Sequence, residues 1–186
     1  SLLRVLSIPI LTQNFVSFKG EDKYATIIDA NQTERVMRIE NTVNNRIENL
    51  TISGGETTFV NQWLEYFETG GGGIFITRAA PIISDVFFSS NYSDSQGAAL
   101  SIIHSGIGRT KIINSEFAYN LGESALYFDL GYADIYNARI YENENNGVQG
   151  GSGVNFYNSI IHNNGGYGIY NSSCYLYNSI VTNHPN

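Results

Sequence analysis

Asn114-Ser-Glu-Phe117-Ala-Tyr-Asn120 recurs as Asn137-Ala-Arg-Ile140-Tyr-Glu-Asn143 and again as Asn158-Ser-Ile-Ile161-His-Asn-Asn164. Each copy has an asparagine, an apolar residue three places on, and a second asparagine three places after that. Asp85-Val-Phe-Phe88-Ser-Ser-Asn91 is a variant. Asn178-Ser-Ile-Val181-Thr-Asn-His184 is the last copy, its second asparagine one place early at Asn183. Upstream, Asn49-Leu-Thr-Ile52-Ser-Gly-Gly55 starts the series with glycine in the final slot. From Asn49 the starts lie 36, 29, 23, 21 and 20 residues apart, so the copies tighten along the chain. A period in the twenties marks a stack of repeats, each burying its apolar face against the next.

Aligned on the first asparagine, the copies form columns. Two places before it stand Ile47, Ile83, Ile112, Ile135, Phe156 and Leu176; three after it stand Ile52, Phe88, Phe117, Ile140, Ile161 and Val181. A third set, Ile74, Leu100, Leu126, Val148 and Ile169, follows a glycine or alanine each time. Columns holding only apolar residues share an interior. Three such columns per period predict three short strands per turn, and turns stacked about 4.8 Å apart pair those strands in parallel. The asparagine then lies at a bend, where stacked carboxamides can satisfy backbone groups that the bend leaves unpaired. The expectation is an all-β fold, a single-stranded right-handed parallel β-helix. It is a solenoid of about seven coils with asparagine ladders at the bends, its hand taken from the general crossover rule. Residues 1–186 are expected to form one domain, a segment of a longer chain, because the sequence opens on a strand-like stretch and stops inside a repeat. Residues 56–70, with Trp63 and Tyr66, are expected to protrude as an aromatic and acidic excursion.

Composition narrows the classes. Charged residues are only 15% of the chain, and asparagine, serine, glycine and 13 tyrosines take their place. Abundant β-branched and aromatic residues favour strands. A net charge of −7 without a basic patch argues against nucleic acid as partner. No apolar run reaches transmembrane length, since Arg4 and Pro9 interrupt residues 2–11. Cys174 is the lone cysteine, which excludes an intrachain disulfide; its alternation with Tyr175 points it inward.

Gly-Gly-Gly-Ile at 71–74, Phe-Ser-Ser-Asn at 88–91 and Phe-Ala-Tyr-Asn at 117–120 resemble the GGA[ILV] and FxxN repeats of polymorphic outer-membrane proteins. Gly-Ala-Ala-Leu at 97–100 is a near match. Residues 26–55 are similar to the opening coils of secreted bacterial β-helix proteins of the pectate-lyase-like superfamily. The resemblance implies the fold and a place outside the cell or on a bacterial surface. It leaves activity open, because that superfamily includes lyases, hydrolases, adhesins and non-catalytic scaffolds.

Four chemistries find some footing in these residues. A uronate lyase needs a base beside a sugar carboxylate and a cation to quench that carboxylate. The resemblance implies Lys or Arg as base, with Ca²⁺ as the possible cofactor. Lys111, Arg139, Arg109 and His104 are the candidates, with His162 beside them. Yet Lys111 and Asp134 share an outward column in consecutive coils, as do Glu116 and Arg139, which reads as surface ion pairing. A polygalacturonase-like hydrolase is represented only by Arg109-Thr-Lys111, its acidic motifs being missing. Gly150-Gly-Ser-Gly-Val-Asn155 half-matches a calcium repeat once, and is read as a turn, so no metal site is assigned. Tyr136, Tyr157 and Tyr177 fall in one outward column with Tyr175 two columns over, a platform for sugar rings or protein. With Trp63 and Tyr66 they form the expected binding surface. The function expected is therefore a non-catalytic recognition or adhesion scaffold, with a polysaccharide lyase as alternative. Its partner is a polysaccharide, a protein or the rest of its own chain.

Overall fold

A computed structural model describes residues 2–4, 10–58, 70–104, 106 and 108–185. All regular structure among them is β-strand, and every pairing is parallel. Apart from one short pair, Glu56–Thr57 with Tyr92–Ser93, the strands form three ladders that the chain visits in fixed order. The first is a seven-stranded sheet: Ile10–Leu11, Met37–Glu40, Ile74–Thr77, Leu100–Ile103, Ser124–Asp129, Asn146–Gln149 and Ile169–Tyr170. The second runs through Ser17–Lys19, Thr110–Ile113, Ala133–Tyr136, Ser152–Tyr157 and Ser173–Tyr177. The third runs through Leu2–Arg4, Ile27–Asp29, Glu116–Ala118, Arg139–Tyr141, Ile160–His162 and Ile180–Thr182. The eight-residue strands Arg46–Ser53 and Ile82–Ser89 belong to both, so the second and third ladders form one 13-stranded sheet. The parallel ladders and side-chain stacks fit a β-helix-like solenoid.

The register matches the sequence columns. Ile47, Ile83, Ile112, Ile135, Phe156 and Leu176 are direct neighbours along the second ladder. Ile52, Phe88, Phe117, Ile140, Ile161 and Val181 follow each other along the third, and Ile74, Leu100, Leu126, Val148 and Ile169 along the first. Together they line one core, in which the Phe88 and Phe117 rings stack at 4.7 Å and 11°. In the last rung the inward columns end on Leu176 and Val181, 43% and 38% exposed.

Most passages between ladders include at least one residue in the left-handed region, and one such residue recurs at the same place from rung to rung. From the second ladder to the third these are Asn49, Asp85, Asn114, Asn137, Asn158 and Asn178. From the third to the first they are Gly54, Ser90, Tyr119, Glu142, Asn163 and Asn183. From the first to the second they are Asn41, Arg78, His104, Leu130, Gly150 and Asn171. Positive φ costs most residues about 1–2 kcal/mol, and asparagine tolerates it best because its short amide bonds locally. The repeat's first asparagine is therefore a backbone requirement.

Its second asparagine is an interior one. Asn91, Asn120, Asn143 and Asn164 are at most 3% exposed. Each Nδ2 donates to the next Oδ1, at 3.0, 2.9 and 2.8 Å in turn. Backbone groups close the stack: Gly55 N donates to Asn91 Oδ1 at 3.0 Å, and Asn164 Nδ2 donates to Ile140 O at 3.1 Å. Here the structure corrects the sequence alignment. Asn183 is a bend residue, and His184 takes the next ladder position, its Nε2 at 3.2 Å from Ile161 O.

Candidate functional site

The outward side chains of the second ladder stand in two columns. One reads Ser17, Arg46, Ile82, Lys111, Asp134, Asn155, Tyr175; the other ends in Tyr136, Tyr157 and Tyr177. Lys111 and Asp134 are neighbours as expected, but Asp134 is held by a different cation. Arg109 donates through Nε at 2.8 Å and lies 2.7 Å away through Nη2, which also reaches Ala133 O and Gly153 O at 2.7 Å each. Burial pulls the Asp134 carboxyl up, yet hydrogen bonds from Arg109 and Asn155 outweigh it and hold the group below its ordinary value. The Lys111 side chain is exposed and its ammonium makes no hydrogen bond or ion pair among the described residues, although its charge helps hold the Asp134 carboxyl down. The Gly150–Gly153 stretch is a bend followed by a bulge, with φ of 69°, 84° and 84° at Gly150, Gly151 and Gly153. A Cβ at Gly153 would meet the Tyr132 ring at 2.5 Å, so its smallness seats the Arg109–Tyr132 contact.

On the third ladder, Glu116 and Arg139 are neighbours in register, but their ion pair is long, at 3.7 Å. Glu116 is instead closed by a segment remote in sequence. Lys23 Nζ lies 2.6 Å from Oε1, Tyr24 OH donates to the same oxygen at 2.7 Å, and Tyr141 OH donates to Oε2 at 3.2 Å. Residues 20–26 reach it by crossing the ladder: Thr51 Oγ1 donates to Lys23 O at 2.7 Å, and the Tyr24 ring meets Phe87 edge-on at 5.8 Å. Burial raises the Glu116 carboxyl, but the Lys23 and Tyr24 hydrogen bonds bring it below its ordinary value. Burial and the Glu116 charge push the Tyr141 phenol up to about 12. Arg139 lies over the Tyr141 ring at 4.7 Å, and His162 stacks on that ring at 5.3 Å and 2°. His104 is a bend residue between the first and second ladders, away from both clusters.

No family model, curated protein or solved structure matches this chain.

Tyr136, Tyr157 and Tyr177 form a stack, with ring centroids 4.7 and 4.8 Å apart and planes within 10°. Both faces of Tyr157 are spent on its neighbours, so between the end rings the surface offers ring edges and hydroxyls. Tyr175 stands two residues away, 61% exposed. Trp63 and Tyr66 lie outside the described residues, as does most of the expected 56–70 excursion. Cys174 is half-buried against the core, and burial pushes its thiol up.

The sequence reading missed a groove of about 440 Å³ where the first rungs meet the middle ones. Phe15, Ala80 and Ile82 supply its apolar walls, and Arg46, Arg109 and Lys111 its charge. Arg46 was findable, since it stands three places before Asn49 as Lys111 stands three before Asn114. Phe15 was not, because it lies in the first rung, ahead of any asparagine that could align it.

Proposed function

We propose that this chain is a recognition or adhesion scaffold, secreted or displayed on a bacterial surface. In this reading it is a right-handed parallel β-helix of about seven coils that binds glycan or protein without transforming it. The fixed order of three parallel ladders and the buried asparagine stack support the coil, and the hand follows the crossover rule. The resemblance of residues 71–74, 88–91 and 117–120 to surface-protein repeats supports the location. The observation that carries the reading is the commitment of groups a catalyst would need free. Arg109 is fixed by Asp134 and two carbonyls, Arg139 lies over the Tyr141 ring with only a long ion pair to Glu116, and both carboxylates are closed by donors. What faces solvent is suited to recognition: tyrosine hydroxyls and a groove of mixed character.

One observation favours a second reading, a polysaccharide lyase acting on uronate-containing glycans by β-elimination. Lys111 is exposed beside Arg46 and Arg109, so a base and a carboxylate-quenching cation share one groove. Incubating the purified chain with alginate, pectate and chondroitin, with and without calcium, separates the two by ultraviolet absorbance of unsaturated product. The scaffold reading expects no product, and binding to at least one glycan or surface protein on arrays. Product that disappears on Lys111→Ala would overturn it in favour of the lyase.

A further inference from the structure

We propose that the groove of Phe15, Ile82, Arg46, Arg109 and Lys111 is a binding site for an acidic glycan, taking up its carboxylate or sulfate groups. This rests on the scaffold reading and names the ligand of one face of it. The chain carries a net charge of −7 and only ten Lys and Arg residues, yet three of those ten line this one groove and, among the described residues, no carboxylate does. The nearest carboxylates are already engaged: Glu48 with Arg46 at 3.2 Å and Asp134 with Arg109 at 2.7 Å. Counted with those two carboxylates, the three cations leave a formal excess of one positive charge at the groove, in a molecule whose overall charge is −7. Lys111 brings an ammonium with no hydrogen bond or ion pair among the described residues, its attraction to Asp134 acting only at longer range. Arg46, 52% exposed at its side chain, keeps guanidinium N–H groups beyond the one on Glu48. Such groups match the geometry of carboxylate and sulfate oxygens.

The rest of the lining selects a sugar. Phe15 is 71% exposed and presents its ring where the C–H face of a pyranose can pack, with Ile82 and Ala80 as further apolar wall. Ser17 and Asn44 add a hydroxyl and a carboxamide for ring hydroxyls. An acidic peptide fits less well. Arg46–Ser53, Ile82–Ser89 and Thr110–Ile113 are each paired on both sides, so among the described residues an extended backbone could add only at the three-residue edge strand Ser17–Lys19. Arg46 and Lys111 stand in the same column two strands apart, roughly 10 Å along the stack. The ligand therefore lies along the stack and needs at least two sugar rings to engage both cations.

The test is calorimetric titration of the purified chain with three oligosaccharides of matched length: polygalacturonate, sulfated dextran and neutral dextran. Poly-glutamate is the control polyanion. The proposal expects at least one acidic sugar to bind, with affinity falling as salt rises. It expects Lys111→Gln and Arg46→Gln each to weaken that binding about tenfold, and Arg78→Gln, at an exposed cation outside the groove, to leave it unchanged. All three variants alter exposed side chains, and their melting curves report whether the fold is kept. The two acidic arms distinguish carboxylate from sulfate. Equal binding of poly-glutamate would overturn the glycan assignment, and acidic-sugar affinity indifferent to both Lys111→Gln and Arg46→Gln would overturn the site. Binding of neutral dextran alone would sink this inference and leave the scaffold reading standing. No binding of any sugar, here or on arrays, would remove the glycan arm of both.

Discussion

Two columns of asparagine run through this molecule, six residues apart in the three full copies, and they do different physical work. The first sits at positive φ on the surface, and its side chains pair only in places, as Asn137 with Asn114 at 3.0 Å and Asn178 with Asn158 at 2.7 Å. The second is buried and continuous, each carboxamide donating and accepting along the stack and serving backbone groups of the rung before. One amino acid at fixed spacing thus meets a backbone need at one slot and a burial need at the other. Glycine could replace the first, having no Cβ to clash at positive φ. Nothing smaller could replace the second, whose two donors and one acceptor are all in use.

Asn120→Ala should break this contrast most severely. It strips partners from Asn91, Asn143, Phe88 O and Ala118 O in a dry interior, where each unsatisfied group costs about 1–3 kcal/mol. A net loss of about 4 kcal/mol is expected by urea denaturation, and an effect below about 1 would refute the ladder's structural weight.

Glu116→Gln asks whether a polar cluster on the outer face can matter as an interior one does. Removing the charge that Lys23, Tyr24 and Tyr141 serve should cost about 2 kcal/mol near neutral pH. The folded carboxyl titrates below its ordinary value of 4.5, so its contribution is full above that value and is lost as pH falls through the lower folded one. Melting temperature followed downward from pH 5 should therefore drop more steeply for the natural protein than for the glutamine variant. The Tyr141 phenol works in the opposite sense. Raised to about 12, its contribution is intact below its ordinary value of 10.0 and fades as pH climbs toward 12.

Tyr157→Ala removes the middle ring of an exposed stack as regular as the buried asparagines. Loss of two ring contacts should cost about 1.5 kcal/mol by thermal melting, less than the interior ladder because the rings border water. Asn137→Gly is expected to change stability by about 0.5 kcal/mol or less, since its backbone preference is kept and only an exposed hydrogen bond is lost. Asn137→Ala should cost about 1 kcal/mol more than the glycine variant, and equal melting curves for the two would show that positive φ is not what selects asparagine there.

The apolar columns were legible because a strand's period and a coil's period coincide at each repeat, so aligning one asparagine aligns the whole rung. The register of Lys111 with Asp134 and of Glu116 with Arg139 was legible for the same reason. Pairing was not, because register fixes Cα neighbours while a long side chain chooses among several. Arg109, just outside its strand, reaches Asp134 ahead of Lys111. Lys23 comes from 93 residues away to outcompete Arg139 for Glu116. The bend glutamate, leucine and histidine at 142, 130 and 104 gave no local signal of positive φ, since neighbouring rungs impose it.

The crossing of residues 20–26 has a consequence for how the molecule comes apart. In a stacked array each unit touches only the next, so opening can advance one unit at a time with a small barrier at each step. The Lys23 and Tyr24 contacts to Glu116 skip the strands of Thr51 and Phe87 that lie between, and so bind four consecutive units of the third ladder into one cooperative block. Unzipping that enters from beyond Glu116 should stall there, and the units behind it should let go together.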